Sequence, residues 1–282
     1  SRRVFFGNST AVLPFDSNNV TLESLCDLSS SLYPGMARCS AGELTDIGAT
    51  SATAVSYLLG DKSRETRRGG RFRDRTTVLG DIINSSPVIS APVDDYGYRG
   101  LGGDLATSYS AYLATKRDNA RYMVYVGAND GMLHAFDGGM GAAGTMDNGG
   151  GAETFAYIPA TSMGHMGNLL FPLDPNNQAF QKFSHRYYVD GPVAVSDARI
   201  GNSWGTVLVG TTGAGGRGVF ALDVTSPGSF GTGSRLWEIN DLSGSDAVKA
   251  NIGHVLGKPV IVPFKDANGT VTWKAIFGNG YG

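Results

Sequence analysis

Short runs of alternating apolar and polar residues, broken by glycine, recur along the second two thirds of the chain. Three of them open on a Pro-Val step: SSPVISAP from Ser85, DGPVAVSDA from Asp190 and GKPVIVPF from Gly257. Each leads to a second run ending in glycine, MVYVGANDG, TVLVGTTGAGG and KAIFGNGYG, which sets Gly127, Gly210 and Gly278 in equivalent places. A third run follows twice, GMLHAFDGG and GVFALDVTSP, matching Ala135 and Asp137 to Ala221 and Asp223; a fourth follows as ETFAYIP and RLWEIN. Period-two alternation bounded by Gly, Pro, Asn and Asp predicts strands. Four in succession predict an antiparallel four-stranded unit, and repetition of that unit predicts a β-propeller. The fold class expected is therefore all-β, a propeller of four-stranded antiparallel blades, with a small, partly helical lead-in and a helical insertion. Only two units and half of a third are found, whereas propellers have about 4 to 8 blades. The remaining blades are expected beyond Gly282.

Helical spacing interrupts this pattern. Leu105, Tyr109, Tyr112 and Leu113 share one helical face inside a long insertion of the first unit, with Asp104 as candidate cap. Leu44, Ile47, Val55, Leu58 and Leu59 predict helical character ending at Gly60. The division expected is a lead-in over residues 1–78, followed by the first blades of a propeller over residues 79–282. Near that boundary DKSRETRRGGRFRDR holds seven basic and three acidic residues. Nucleic-acid strands stack on aromatics, and this run has only Phe72. It reads instead as a solvated linker, or as arginines salt-bridged to the first blade.

The polar clusters have structural readings beside their chemical ones. Asn129, Asp130 and Gly131 lie between two strands, where a tight turn favours such residues through their tolerance of positive φ. Because Asp137 and Asp223 recur by module, they read as strand-end turn formers. GAGGRG from Gly213 could cradle phosphate only ahead of a helix, but VFALDV predicts a strand, so Arg217 sits on a hairpin loop. A second insertion carries Met163, His165, Met166 and His185, soft ligands suited to copper; their spacing favours loop packing. KDANGTVTWK offers Asp266 and Asn268 as weak metal candidates, and otherwise reads as a hairpin turn. No catalytic residue is assigned.

Composition narrows the choice further. With 282 residues, 41% of them hydrophobic, the chain can bury a sizeable core, and its 41 glycines, about twice ordinary usage, suit many tight turns. A net charge of −2 disfavours general polyanion binding, and no apolar run reaches the roughly 20 residues of a membrane helix. Cys26 and Cys39 enclose a loop containing Pro34 and Gly35 and read best as one disulfide, which implies an oxidising compartment. A two-cysteine metal site is the rival. The start at SRRVFF is expected to reflect a removed signal peptide or a piece of something longer.

These strings resemble the PilY/PilC proteins of type IV pili. The resemblance rests on RFRDRTTVLGDIINSSPV, YVGANDGMLHAFDGG, ETFAYIP, YYVDGPVAVSDA, WGTVLVGTTGAGGRGVFALDVTSP, LWEI and WKAIFGNGYG, and runs from about Gly60 to Gly282. It implies a large secreted protein with a modified propeller, periplasmic, outer membrane-associated or at the pilus tip. The roles it implies are pilus assembly, control of retraction, and adhesion, with minor pilins or other pilus components and a host or abiotic surface as partners. It also implies a calcium loop, which these residues do not supply; calcium is expected in the full-length protein. The Arg-Gly-Asp of some adhesins corresponds here to Leu59-Gly60-Asp61. The alternative is a quinoprotein-dehydrogenase-like propeller enzyme, whose blades also end in Ala-x-Asp and a tryptophan.

Overall fold

The computed structural model describes residues 2–8, 10–27, 39–141, 144–172 and 183–282. The loop expected to turn at Pro34 and Gly35 lies outside them.

The blades form as the alternation predicts. β3 (Val88–Ser90), β4 (Met123–Gly127), β5 (Leu133–Asp137) and β6 (Glu153–Ile158) pair antiparallel in sequence order. A second sheet repeats this with β7 (Val193–Ile200), β8 (Ser203–Thr211), β9 (Gly218–Asp223) and β10 (Arg235–Asn240). The third consists of β11 (Val260–Lys265) and β12 (Val271–Ile276), also antiparallel. Pro87, Pro192 and Pro259 each stand directly before a first strand, where a missing N–H interrupts no ladder.

One equivalence slips. Asp137 faces Met123 and Asp223 faces Val207, so counting along β4 and β8 matches Gly127 to Thr211, not to Gly210. The two glycines answer different crowding: a Cβ on Gly127 would lie 2.2 Å from the Val189 carbonyl, and one on Gly210 would lie 2.4 Å from the Phe220 ring.

The first sheet has two strands more than a blade. β1 (Val4–Gly7) runs parallel to β6, with Phe5 beside Tyr157, and pairs antiparallel with β2 (Val12–Pro14) at the edge. Pro14 sits on that outer strand, a position that discourages further pairing. The first and second sheets meet through aromatic rings. Phe155 stacks on Phe230 at 3.9 Å, with Tyr125, Tyr157, Leu208 and Phe220 buried around them. Burying each large side chain contributes about 1.5 to 3 kcal/mol.

The lead-in forms two helices, not one continuous stretch. α1 (Ala41–Asp46) and α2 (Ser51–Leu58) are separated by Gly48 at φ +80, and Ser40 and Thr50 each cap the helix that follows. Gly60 does follow the second helix, at φ +117. α3 (Gly103–Asn119) is the insertion helix, but Asp104 is not its cap: Gly102 holds that place and Asp104 lies in the first turn. There its charge still opposes the helix dipole. Tyr109, Leu113 and Lys116 bury on the face toward β7 and β8.

Candidate binding site

The β4–β5 connection does more than turn the chain. Among Asn129, Asp130 and Gly131 only the glycine has positive φ, and no non-glycine residue among those described does. The two polar residues are held in place by what they bind. Asn129 accepts the Tyr188 amide at 3.0 Å and donates its side-chain amide to Asp81 at 3.0 Å. Asp130 accepts the Gly80 amide at 3.0 Å and faces His134 Nε2 at 3.0 Å. Two distant segments, residues 80–81 and Tyr188, are thus gathered at one turn.

Behind that turn lies a buried row of charges. His134 Nδ1 is 2.7 Å from Glu153, which the Arg2 guanidinium grips through both of its oxygens at 2.6 and 2.7 Å. Burial alone would lower the His134 pKa, but Asp130 and then Glu153 raise it to about 9. Glu153 moves the other way: burial would raise it, yet Arg2 and His134 hold it down to about 2. Both nitrogens of the charged imidazole then donate, and β1 is tied to β5 and β6.

In front of the turn is a cavity of about 340 Å³, walled by α2, residues 73–81, the β4–β5 turn and residues 183–186. Two of its arginines, Arg73 and Arg75, are fixed by neighbours within the chain. Arg75 lies over the Tyr57 ring at 3.6 Å and donates to Glu65, at 3.0 Å, and to the Tyr57 and Asp61 carbonyls. Arg73 lies over Phe183 at 4.1 Å, with Nε on the Leu169 carbonyl at 3.1 Å. Of the two expectations for the basic run, solvation holds for Arg64, Arg67, Arg68 and Arg71, which are exposed, whereas Arg73 and Arg75 contact the lead-in and the second insertion and not the first blade. His185 stands at the rim, 2.9 Å from Asp81.

The other singled-out residues lie elsewhere. Asp137 and Asp223 play the same part in their blades, each accepting the amide two residues on, Gly139 at 2.8 Å and Thr225 at 2.9 Å. Asp137 also pairs with Arg121. His165 is stacked on Tyr188 at 4.1 Å, and burial, helped by Arg186, drops its pKa to about 3. It does not share His185's surroundings at the cavity rim. Met163 and Met166 pack in the lead-in core with Cys39. Cys26 and Cys39 form a disulfide. Gly213 and Gly215 pack backbone to backbone, for a Cβ on Gly215 would lie 1.8 Å from the Tyr188 carbonyl; β9 follows, and no phosphate-binding helix.

Asp266 spends one oxygen on the Asn268 and Thr270 amides, at 2.9 and 2.8 Å, in the β11–β12 hairpin turn. Calcium takes six to eight oxygens, more than these two side chains supply. Among the described residues no group of three or more His, Cys, Asp or Glu is arranged around a common metal position.

One buried pair escaped sequence reasoning. Lys116 of α3 contacts both oxygens of Asp197 at 2.9 and 3.0 Å, while Tyr109 and Thr206 donate to the same carboxylate. Burial pushes Asp197 upward and Lys116 opposes that shift. The only available signal was a lysine on the apolar face of a predicted helix, three residues after Leu113.

Successive antiparallel blades packed face to face, with loops and insertions gathered at strand ends around a cavity, define a propeller-type scaffold. Residues 79–282 match the family model of the PilY1 beta-propeller domain, and the chain belongs to that family. A Type IV pilus biogenesis factor PilY1 homolog of Xylella fastidiosa (strain Temecula1 / ATCC 700964) is 43% identical over 248 residues, covering 85% of this chain and 15% of the relative. Type IV pilus biogenesis factor PilY1 of Pseudomonas aeruginosa (strain PAK) is 37% identical over 227 residues, covering 80% of this chain and 17% of the relative. The solved C-terminal domain of Pseudomonas aeruginosa PilY1 is 35% identical with a TM-score of 0.41, covering 61% of this chain and 27% of that one. The chain thus spans 15% to 17% of the length of these curated relatives.

Proposed function

We propose that this chain is part of a non-enzymatic type IV pilus factor that works in assembly, retraction control and surface adhesion by binding other proteins or surfaces. The observation that carries this reading is membership of the PilY1 propeller family, whose curated relatives bear the name of type IV pilus biogenesis factors. Minor pilins or other pilus components, and a host or abiotic surface, are the partners. The modular recurrence of Asp137 and Asp223 supports binding over catalysis, since both carboxylates are engaged in their own turns. The groove between the first strands supports it too: Val88, Ala194, Val195, Val260 and Ile261 line it, with Lys258 as its charged group.

The protein works in the cell envelope, in the periplasm, associated with the outer membrane, at the pilus tip or secreted. The Cys26–Cys39 disulfide suits that oxidising setting. No helix among the described residues is long and apolar enough to cross a membrane. Calcium, which the resemblance implies, belongs to this reading as a ligand of the full-length protein.

Removing residues 79–282 from the full-length protein tests the reading. Surface pili and surface motility should both fall to the level of cells lacking the protein. Normal piliation at normal protein level would end the proposal.

A further inference from the structure

The ribbon that leads into β3 is fastened to the first blade and to the segment before β7: Gly80 donates to Asp130, the Asp81 carbonyl accepts the Asn129 amide at 2.9 Å, Asn84 donates to Asp190 at 2.6 Å, and the buried Ser85 accepts the Gly127 amide at 2.9 Å. Its aliphatic members face solvent, with Leu79, Ile82 and Ile83 at 38%, 38% and 55% exposure. A flexible loop would fold such side chains away. Here the backbone is pinned at four points, so three aliphatic groups are presented in a set arrangement next to the cavity.

The cavity adds a charge to that apolar strip. Three arginines, Arg73, Arg75 and Arg186, line it against two carboxylates, Asp81 and Asp130. Arg75 is matched by Glu65 and Asp130 by His134, while Asp81 is engaged by Asn129 and His185. Arg73 is held by its ring contact, by Nε and by a side-chain contact with Tyr57, and no carboxylate pairs with it among the described residues. A guanidinium fixed on an aromatic face without a carboxylate partner is suited to bind one. Arginine and aromatic anchors beside exposed aliphatic groups are also the composition of protein-binding hot spots.

We infer that this cavity and ribbon form a docking surface for a partner protein segment that carries an aspartate or glutamate beside aliphatic residues. The acidic side chain enters the cavity toward Arg73, and its aliphatic neighbours cover Leu79, Ile82 and Ile83. The volume, about 340 Å³, has room for one or two side chains. The inference rests on the binding-module reading above and specifies its partner by chemistry.

A photo-crosslinking amino acid placed at Ile83 of the full-length protein, illuminated in piliated cells, tests it, with mass spectrometry of the cross-linked peptides as readout. The expected product joins position 83 to another protein of the pilus system, at a segment bearing Asp or Glu within a few residues. Arg73→Glu should lower its yield by about tenfold or more, and replacing the partner's acidic residue with Lys should restore the yield in that background. If Arg73→Glu does not accumulate, Ile82→Asp read from a crosslinker at Leu79 replaces it and should lower yield likewise. Products confined to this protein's own chain, absence of product, a partner segment without an acidic residue, or a yield indifferent to these changes would overturn the docking surface. Loss of pili on removal of residues 79–282 alongside any of those results would leave the pilus reading standing and only the surface refuted.

Discussion

His134 sits in a buried row of alternating charge, Arg2, Glu153, His134 and Asp130, and its protonation is part of the fold. Its folded-state pKa, raised to about 9 from 6.5, means that its contribution is complete below pH 6.5 and is lost as pH rises to 9. Glu153, lowered to about 2, contributes above pH 4.5 and loses that contribution as pH falls toward 2. Unfolding free energy should therefore decline between pH 6.5 and 9, by on the order of 1 to 3 kcal/mol. In His134→Gln that decline should flatten, which denaturant titrations at a series of pH values would measure. Lys116 offers a second check. Replacing it with Met leaves Asp197 buried without its cation, and the expected loss is about 3 to 5 kcal/mol. The double variant Lys116→Met/Asp197→Asn should recover part of it. Neither pair was legible in the sequence: His134 lies in a strand-turn motif where its neighbours explain themselves as turn residues, and Lys116, though on the apolar face of its helix, carries no sign of the carboxylate it meets. Their partners come from positions 153 and 197, which only tertiary packing brings near.

Elements were more legible, because period-two alternation is a local signal and each strand of the blades carries it. Where the cause was not local, expectation failed. β1 and β2 are only four and three residues long, too short for a period, and β1 pairs in parallel with β6 across most of the lead-in and first blade. The helical stretch around Leu44 to Leu58 divides at Gly48 because glycine takes the positive φ that ends α1, after which Thr50 caps α2. The cavity is built from α2, residues 73–81, a blade turn and residues 183–186, so no single window of sequence contains it. The glycines give a test at this scale. Gly215→Ala drives a methyl into the Tyr188 carbonyl and should cost about 1 to 3 kcal/mol or more. Gly228→Ala meets nothing within 4 Å and should stay within about 0.5 kcal/mol of the parent in thermal melts.

At the scale of the whole molecule, function follows from the way the blades are joined. Phe155 and Phe230 lock the first sheet to the second, Arg3 of the lead-in donates to the Gly228 and Phe230 carbonyls at 2.7 Å, and α3 anchors its buried lysine on β7. Such a body holds its surfaces still and presents them, as a binding scaffold requires. On the binding reading proposed above, the recurring polar clusters maintain the fold and binding at the surface does the work. The most direct test combines Asp137→Ala and Asp223→Ala in the full-length protein, taken singly, with folded protein level, melting temperature, quinone-dependent dye reduction and surface pili measured on the same cells. Each variant should melt lower, by about 1 to 2 kcal/mol of lost stability, should show the same background dye reduction as the parent, and should bear pili in proportion to the folded protein that remains. A variant that melts and accumulates like the parent yet has lost dye reduction or pili would contradict the account.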